Sequence, residues 1–235
     1  MSLIHRTVAL LGLVVVLGET PHIVLAQPPQ TLNSPTDAVD LFNQGVNKTQ
    51  RGDYQGAIND FNQVLKIDPN VIEAYCNRGL ARFGLGDYQG AIADFNLALR
   101  VEPNHADAYN NLGNVHVVMG DLKAALADFD SAVRLDPKLV DALYNRAVTR
   151  FELGNRQGAI ADYNQVIRLD PTLAQAYGNR GLIRSQQGDK SGALTDLQQA
   201  AKLFRNQGNT AAYQQTLSYI EKIQHSPNPN PSKQP

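Results

Sequence analysis

Apolar residues recur along this chain with two superimposed periods. In the stretch 91–99, Ala91, Ile92, Phe95, Ala98 and Leu99 fall three and four residues apart. That spacing puts side chains on one face of an α-helix. On a longer scale the whole pattern returns every 34 residues. Pro69, Pro103, Pro137 and Pro171 keep this interval, as do Gly52, Gly86, Gly120, Gly154 and Gly188, and Ala57, Ala91, Ala125, Ala159 and Ala193. Five units follow one another without insertion: 38–71, 72–105, 106–139, 140–173 and 174–207.

Each unit reads as two helices. In the second, a first helix (helix A) is expected over about 72–85, ended by Gly86, because glycine tolerates the left-handed cap. Asp87 is placed to cap a second helix (helix B), and Asp53, Asp121, Asn155 and Asp189 stand at the same place elsewhere. Pro103 stops helix B and pushes the acidic residue before it toward an extended backbone. Gly45, Gly79, Gly113, Ala147 and Gly181 let helix A approach helix B, where Phe61, Phe95, Phe129, Tyr163 and Leu197 supply volume. A single unit cannot bury all its apolar surface, so neighbours must stack. The expected fold is all-α, an α-solenoid of five helix-turn-helix units.

A 34-residue unit with these small residues, Gly, Ala, aromatic and Pro resembles the tetratricopeptide repeat (TPR). The resemblance runs from Ala38 to about Gln207, and wording such as NRGLARFGLGDYQGAIADFN is similar to bacterial, especially cyanobacterial, members. The first unit departs with Gln44 and Lys48, and the fifth has Arg205 in place of proline. Without that proline, helix B is expected to run on to about Asn206. A capping helix over 208–224 follows, with Tyr213, Leu217, Ile220 and Ile223 at helical spacing to cover the last open face.

The ends read differently. Residues 1–26 have the form of an export signal: Arg6, an apolar run over 7–17, then Val24-Leu25-Ala26 with cleavage expected after Ala26. The run is too short to cross a bilayer, which takes roughly 20 residues. No membrane attachment is therefore expected after cleavage, and the protein is placed in the periplasm, the thylakoid lumen or outside the cell. Residues 27–37 read as a linker whose Ser34 and Pro35 start the first helix. The proline-rich stretch 225–235 reads as a disordered tail.

Composition removes several functions. A formal charge of −1 over 235 residues, without a Lys/Arg run, argues against nucleic acid. The single cysteine, Cys76, excludes an internal disulfide and is expected to be a small buried hydrophobe. No histidine pair has metal-ligand spacing, and neither GxxxxGK[ST], GxSxG nor HExxH occurs. No enzyme, metal or cofactor is expected.

The candidate site is an asparagine ladder at the sixth place of every unit: Asn43, Asn77, Asn111, Asn145 and Asn179. On a helical wheel this place lies roughly 150° from the centre of the packing stripe of places 1, 4, 8 and 12. The amides are thus expected to stand clear of the packing. In the TPR resemblance that face lines a concave groove. Amides offer donor and acceptor together and suit the main chain of an extended peptide. The competing reading bonds them locally within the helix layer. Phe42, Asn110, Asn114 and Tyr144 are groove anchors on one reading and half-buried against the next helix on the other. Arginine pairs (Arg78 with Arg82, Arg146 with Arg150, Arg180 with Arg184) accompany Asp94, Asp162 and Asp196 and read as structural ion pairs. The third unit has Leu112 and His116 instead, which leaves Asp128 without an obvious partner. The TPR subfamily that clamps a C-terminal carboxylate is matched only at Asn114. The function expected is a scaffold for a protein or peptide partner, with self-association through convex or end faces as the alternative.

Overall fold

The computed structural model describes residues 36–225. Among them the chain forms helices only: α1 (Thr36–Gln50), α2 (Tyr54–Ile67), α3 (Ile72–Leu85), α4 (Tyr88–Val101), α5 (Ala106–Met119), α6 (Leu122–Leu135), α7 (Val140–Glu152), α8 (Arg156–Leu169), α9 (Ala174–Gln186), α10 (Lys190–Asn206) and α11 (Thr210–His225). The expected export signal, most of the linker with the Ser34 and Pro35 helix start, and the proline-rich tail after His225 lie outside the described residues.

The turns follow from their residues. Gly86 sits at φ 82° and Gly120 at φ 81°, a conformation in which a Cβ is strained. At α3 the N–H of Gly86 reaches Phe83 O and that of Asp87 reaches Arg82 O, so two terminal carbonyls are satisfied. Asp87 also caps α4, accepting from the Gly90 N–H at 2.9 Å. The same side-chain cap recurs at Asp53, Asp121, Asn155 and Asp189. Before the prolines, Asp68, Glu102, Asp136 and Asp170 are extended.

Two compact units divide the described chain, one ending at Asn145 and the other beginning at Arg146 within α7. In the first unit, Phe61 closes on Phe42 edge-on at 5.6 Å between ring centroids. Around them Ala57, Val64 and Ala74 are buried. Leu80, Phe95, Leu112 and Val115 form the next cluster. Each fully buried Phe stabilises by about 1.5–3 kcal/mol. The aromatic rings come so close to helix A that a Cβ on Gly113 would lie 2.6 Å from Phe129 Cε1.

In the second unit, Leu182, Leu197, Ala200 and Phe204 of α9 and α10 pack with Ala212 and Ile223 of α11. α10 is 17 residues long against 14 for α8, because Arg205 does not break it. The cap face of α11 differs from the expected stripe. Ala212, Thr216 and Ile223 are buried, whereas Leu217 is 37% exposed. Thr216 reaches this interior because its hydroxyl donates to the Ala212 carbonyl at 2.7 Å, satisfying its polar group inside the helix.

Candidate peptide-binding face

On helix A, places 2, 5, 6 and 9 of each repeat fall within one turn-to-turn stripe, because residues three, four and seven apart share a face. On α5 these are Asp107, Asn110, Asn111 and Asn114; on α7, Asp141, Tyr144, Asn145 and Val148; on α3, Glu73, Cys76, Asn77 and Leu80. The stripe on α5 is therefore one acid followed by three amides.

The structure corrects the expected orientation of the ladder. Asn77, Asn111 and Asn179 are buried, and only Asn43 is exposed, while Asn145 is half-buried. A wheel drawn for a single helix has one packed side. In a stack, helix A packs on its own helix B and also on neighbouring repeats, so a place opposite the first stripe meets the repeat before it. Asn179 shows this directly: its Nδ2 donates to Tyr163 Oη of the preceding repeat at 3.2 Å. Asn110 and Asn114 are buried as well, and Tyr144 is half-buried.

Asn145 ties two A helices together. Its Nδ2 lies 3.1 Å from Asn110 Oδ1 and 3.0 Å from Asn114 Oδ1. This leaves polar capacity over. Asn111 and Asn114 are each 3% exposed, yet Asn111 Oδ1 and Asn114 Nδ2 have no hydrogen-bond partner among the described residues. A buried polar atom without a partner costs about 1–3 kcal/mol. The two atoms are complementary in kind, one acceptor and one donor, on the same face of one helix.

Around this face the arginines are tied up in the scaffold. Arg78 Nε and Nη2 donate to Asp94 at 3.0 and 2.6 Å, Arg82 Nη1 adds a third contact at 2.9 Å, and Arg78 Nη1 donates to Asn62 Oδ1 of the preceding repeat at 2.6 Å. Arg180, Arg184 and Asn164 repeat the arrangement at Asp196. Arg146 and Arg150 do so at Asp162. These are the ion pairs the sequence suggested, and the asparagine acceptors are an addition to them. The apparent orphan is resolved: His116 Nδ1 lies 2.7 Å from Asp128 Oδ2. Burial raises the Asp128 carboxyl above its ordinary value, with His116 pulling the other way.

Sequence reasoning missed the acids at the second place, Glu73, Asp107 and Asp141, although their 34-residue spacing was visible. All three are half-buried in the first turns of their helices. Neither Glu73 nor Asp107 forms a hydrogen bond or ion pair among the described residues. Cys76 between them is buried, and its thiol is pushed up to about 12, first by burial and then by Glu73, Asp107, Asp94 and Glu102. Among the described residues no group of His, Cys, Asp and Glu is arranged to hold a metal.

Comparison with known proteins places this geometry. Tetratricopeptide-repeat descriptions match residues 50–110, 106–139 and 174–207, and a TPR-repeat description matches 149–188. No curated protein matches the chain. Among solved structures, MamA is 26% identical over 70% of this chain and 96% of its own, with a TM-score of 0.64. YrrB, described as a TPR protein with an unusual peptide-binding site, is 23% identical over 77% of this chain and 92% of its own, with a TM-score of 0.60. The Thermus thermophilus TPR protein TTC0263 is 21% identical over 77% of this chain and 99% of its own, with a TM-score of 0.62. These matches and the all-helical hairpins agree on an α-solenoid, and the chain belongs to the tetratricopeptide-repeat family.

Proposed function

We propose that this protein is an interaction scaffold that holds an extended polypeptide segment against the A-helix face of residues 73–145. One observation carries the reading: Asn145 is drawn across Asn110 and Asn114 while the acceptor of Asn111 and the donor of Asn114 stay unmatched. A peptide main chain presents N–H and C=O groups side by side, the two partners these amides lack. Asn145, whose amide nitrogen donates to the carbonyl oxygens of Asn110 and Asn114, stands beside them and extends the polar face onto α7. Half-buried Tyr144, one residue away, offers a ring to an apolar side chain. YrrB's description as a peptide binder supports the same reading. The test is a titration of the labelled protein with unstructured peptides, followed by NMR. Shifts centred on Asn114, Tyr144 and Asn145 are expected; binding that leaves these three unmoved would sink the proposal.

The same proposal places the protein outside the cytoplasm, supported by the signal-like pattern of residues 1–26. No described helix is long and apolar enough to cross a membrane. N-terminal sequencing of the native protein is expected to begin at Gln27; a start at Met1 on cytoplasmic material would overturn it. Exposed Leu217, beside Tyr213 and Ile220 in a shallow groove between α10 and α11, favours a second reading, association of copies through the end face. Sedimentation over a concentration series separates the two.

A further inference from the structure

We propose that the segment taken by this face is cationic: an extended stretch whose lysine or arginine side chains meet Glu73 and Asp107 while its main chain meets the amides one turn further along α5. This rests on the peptide reading above and adds the chemistry of the ligand.

Three observations converge. The first is register. Asp107 stands four residues before Asn111 and seven before Asn114, so the carboxylate and the two buried, unmatched amides share one helix face. The second is the state of the carboxylates. The arginines nearest in sequence to Glu73, Arg78 and Arg82, are committed to Asp94 and Asn62, and neither Glu73 nor Asp107 has an ion pair among the described residues. A first-turn acid is favoured by the helix dipole, which explains how Glu73 and Asp107 persist, but the dipole supplies no counter-charge. The third is the local field. Cys76 lies between Glu73 and Asp107, and both carboxylates disfavour a negative charge at its sulfur. A cation entering the face meets that field with the opposite sign.

The spacing selects how the cations are distributed. Directly packed helices lie about 8–10 Å apart. Contact between α3 and α5 is direct, since Cys76 clusters with Ala108, and contact between α5 and α7 is direct through Asn145. A peptide in the polyproline-II form advances about 3.1 Å per residue with three residues per turn, so a positive side chain at every third residue stays on one side, about 9 Å apart, and keeps step with acids on successive A helices. A phosphorylated or acidic segment meets repulsion at the same positions.

The experiment is fluorescence anisotropy with three dye-labelled unstructured peptides of equal length, carrying Lys, Gln or Glu at every third residue, against the purified protein and its variants. The Lys peptide is expected to bind at least about tenfold more tightly than the Gln peptide at low salt, with the gap closing as salt rises. In E73Q/D107N that gap is expected to vanish while Gln-peptide affinity is kept. The same charge change at exposed Glu221 together with Asp53 replaced by Asn, neither of which stands on an A helix, is expected to keep the gap. Equal binding of Lys and Gln peptides by the unaltered protein, tighter binding of the Glu peptide, or equal loss in the distant variant overturns the cationic inference and leaves the peptide reading standing. If no peptide binds, both fall. If N114L binds all three as the unaltered protein does, the peptide reading at this face falls and takes the cationic inference with it.

Discussion

Arg78 and Asp94 are joined by two parallel hydrogen bonds, Nε to Oδ2 at 3.0 Å and Nη2 to Oδ1 at 2.6 Å, with the carboxylate fully buried. Arg82 makes a third contact. Removing one partner of such a buried pair leaves a desolvated charge, a loss of about 3–5 kcal/mol. Arg78→Met is therefore expected to lower the urea midpoint strongly. Arg78→Lys, which keeps the charge but not the fork, is expected to recover only part of it. Chemical denaturation followed by circular dichroism measures both.

The third repeat behaves differently because His116 replaces the arginines. Burial raises the folded pKa of Asp128 above 3.8, so its proton is held more tightly in the folded than in the unfolded state. The stability it contributes is greatest below 3.8 and is lost as pH rises through the raised value. Asp128→Asn is expected to remove that decline and to equal or exceed the parent in urea midpoint at pH 7. Asp94→Asn at the same pH is expected to be clearly destabilised. Midpoints collected from pH 3.5 upward for both variants check the contrast.

Close approach makes Gly113 sensitive. A Cβ there would fall 2.6 Å from Phe129 Cε1 and 2.8 Å from Cδ1. Gly113→Ala is expected to cost about 1–3 kcal/mol by overpacking. Combining it with Phe129→Leu is expected to cost less than the sum of the two single changes, because the smaller side chain makes room. Thermal melts of the four proteins give the coupling.

Cys76 is buried, with a thiol pushed up to about 12. At pH 8 it is expected to resist alkylation in the folded protein and to react only as urea opens the first unit. Labelling that tracks the loss of ellipticity supports this; rapid labelling without denaturant contradicts it.

Much of the fold could be read from the sequence because its determinants are local. The left-handed glycine at Gly86, the cap at Asp87 and the extended residue before Pro103 each depend on a few neighbouring atoms. The ion pair of Arg78 and Asp94 was suggested by co-occurrence within one repeat. The orientation of the asparagines was not legible, since it depends on what the adjacent repeat brings. A helical wheel drawn for α5 alone contains neither Asn145 nor the rest of α7. The acceptor role of Asn62 escaped for the same reason, because its donor, Arg78, belongs to the next repeat. On α11, Leu217 outranks Thr216 by hydrophobicity, yet Thr216 is inside, because a hydroxyl satisfied by its own helix buries at little cost.

At Arg205 the 34-residue rhythm loses its proline, and α10 continues to Asn206 before the chain turns into α11. Growth by gene duplication is thereby hindered at this end of the array. A copied module inserted between two existing ones finds the kind of neighbour that Arg78 has in Asn62 and Arg180 in Asn164. A module appended behind Asn206 would have to displace α11 from Phe204 before it met any such neighbour. Longer descendants of this chain would therefore keep its last two helices and differ in the number of hairpins ahead of them.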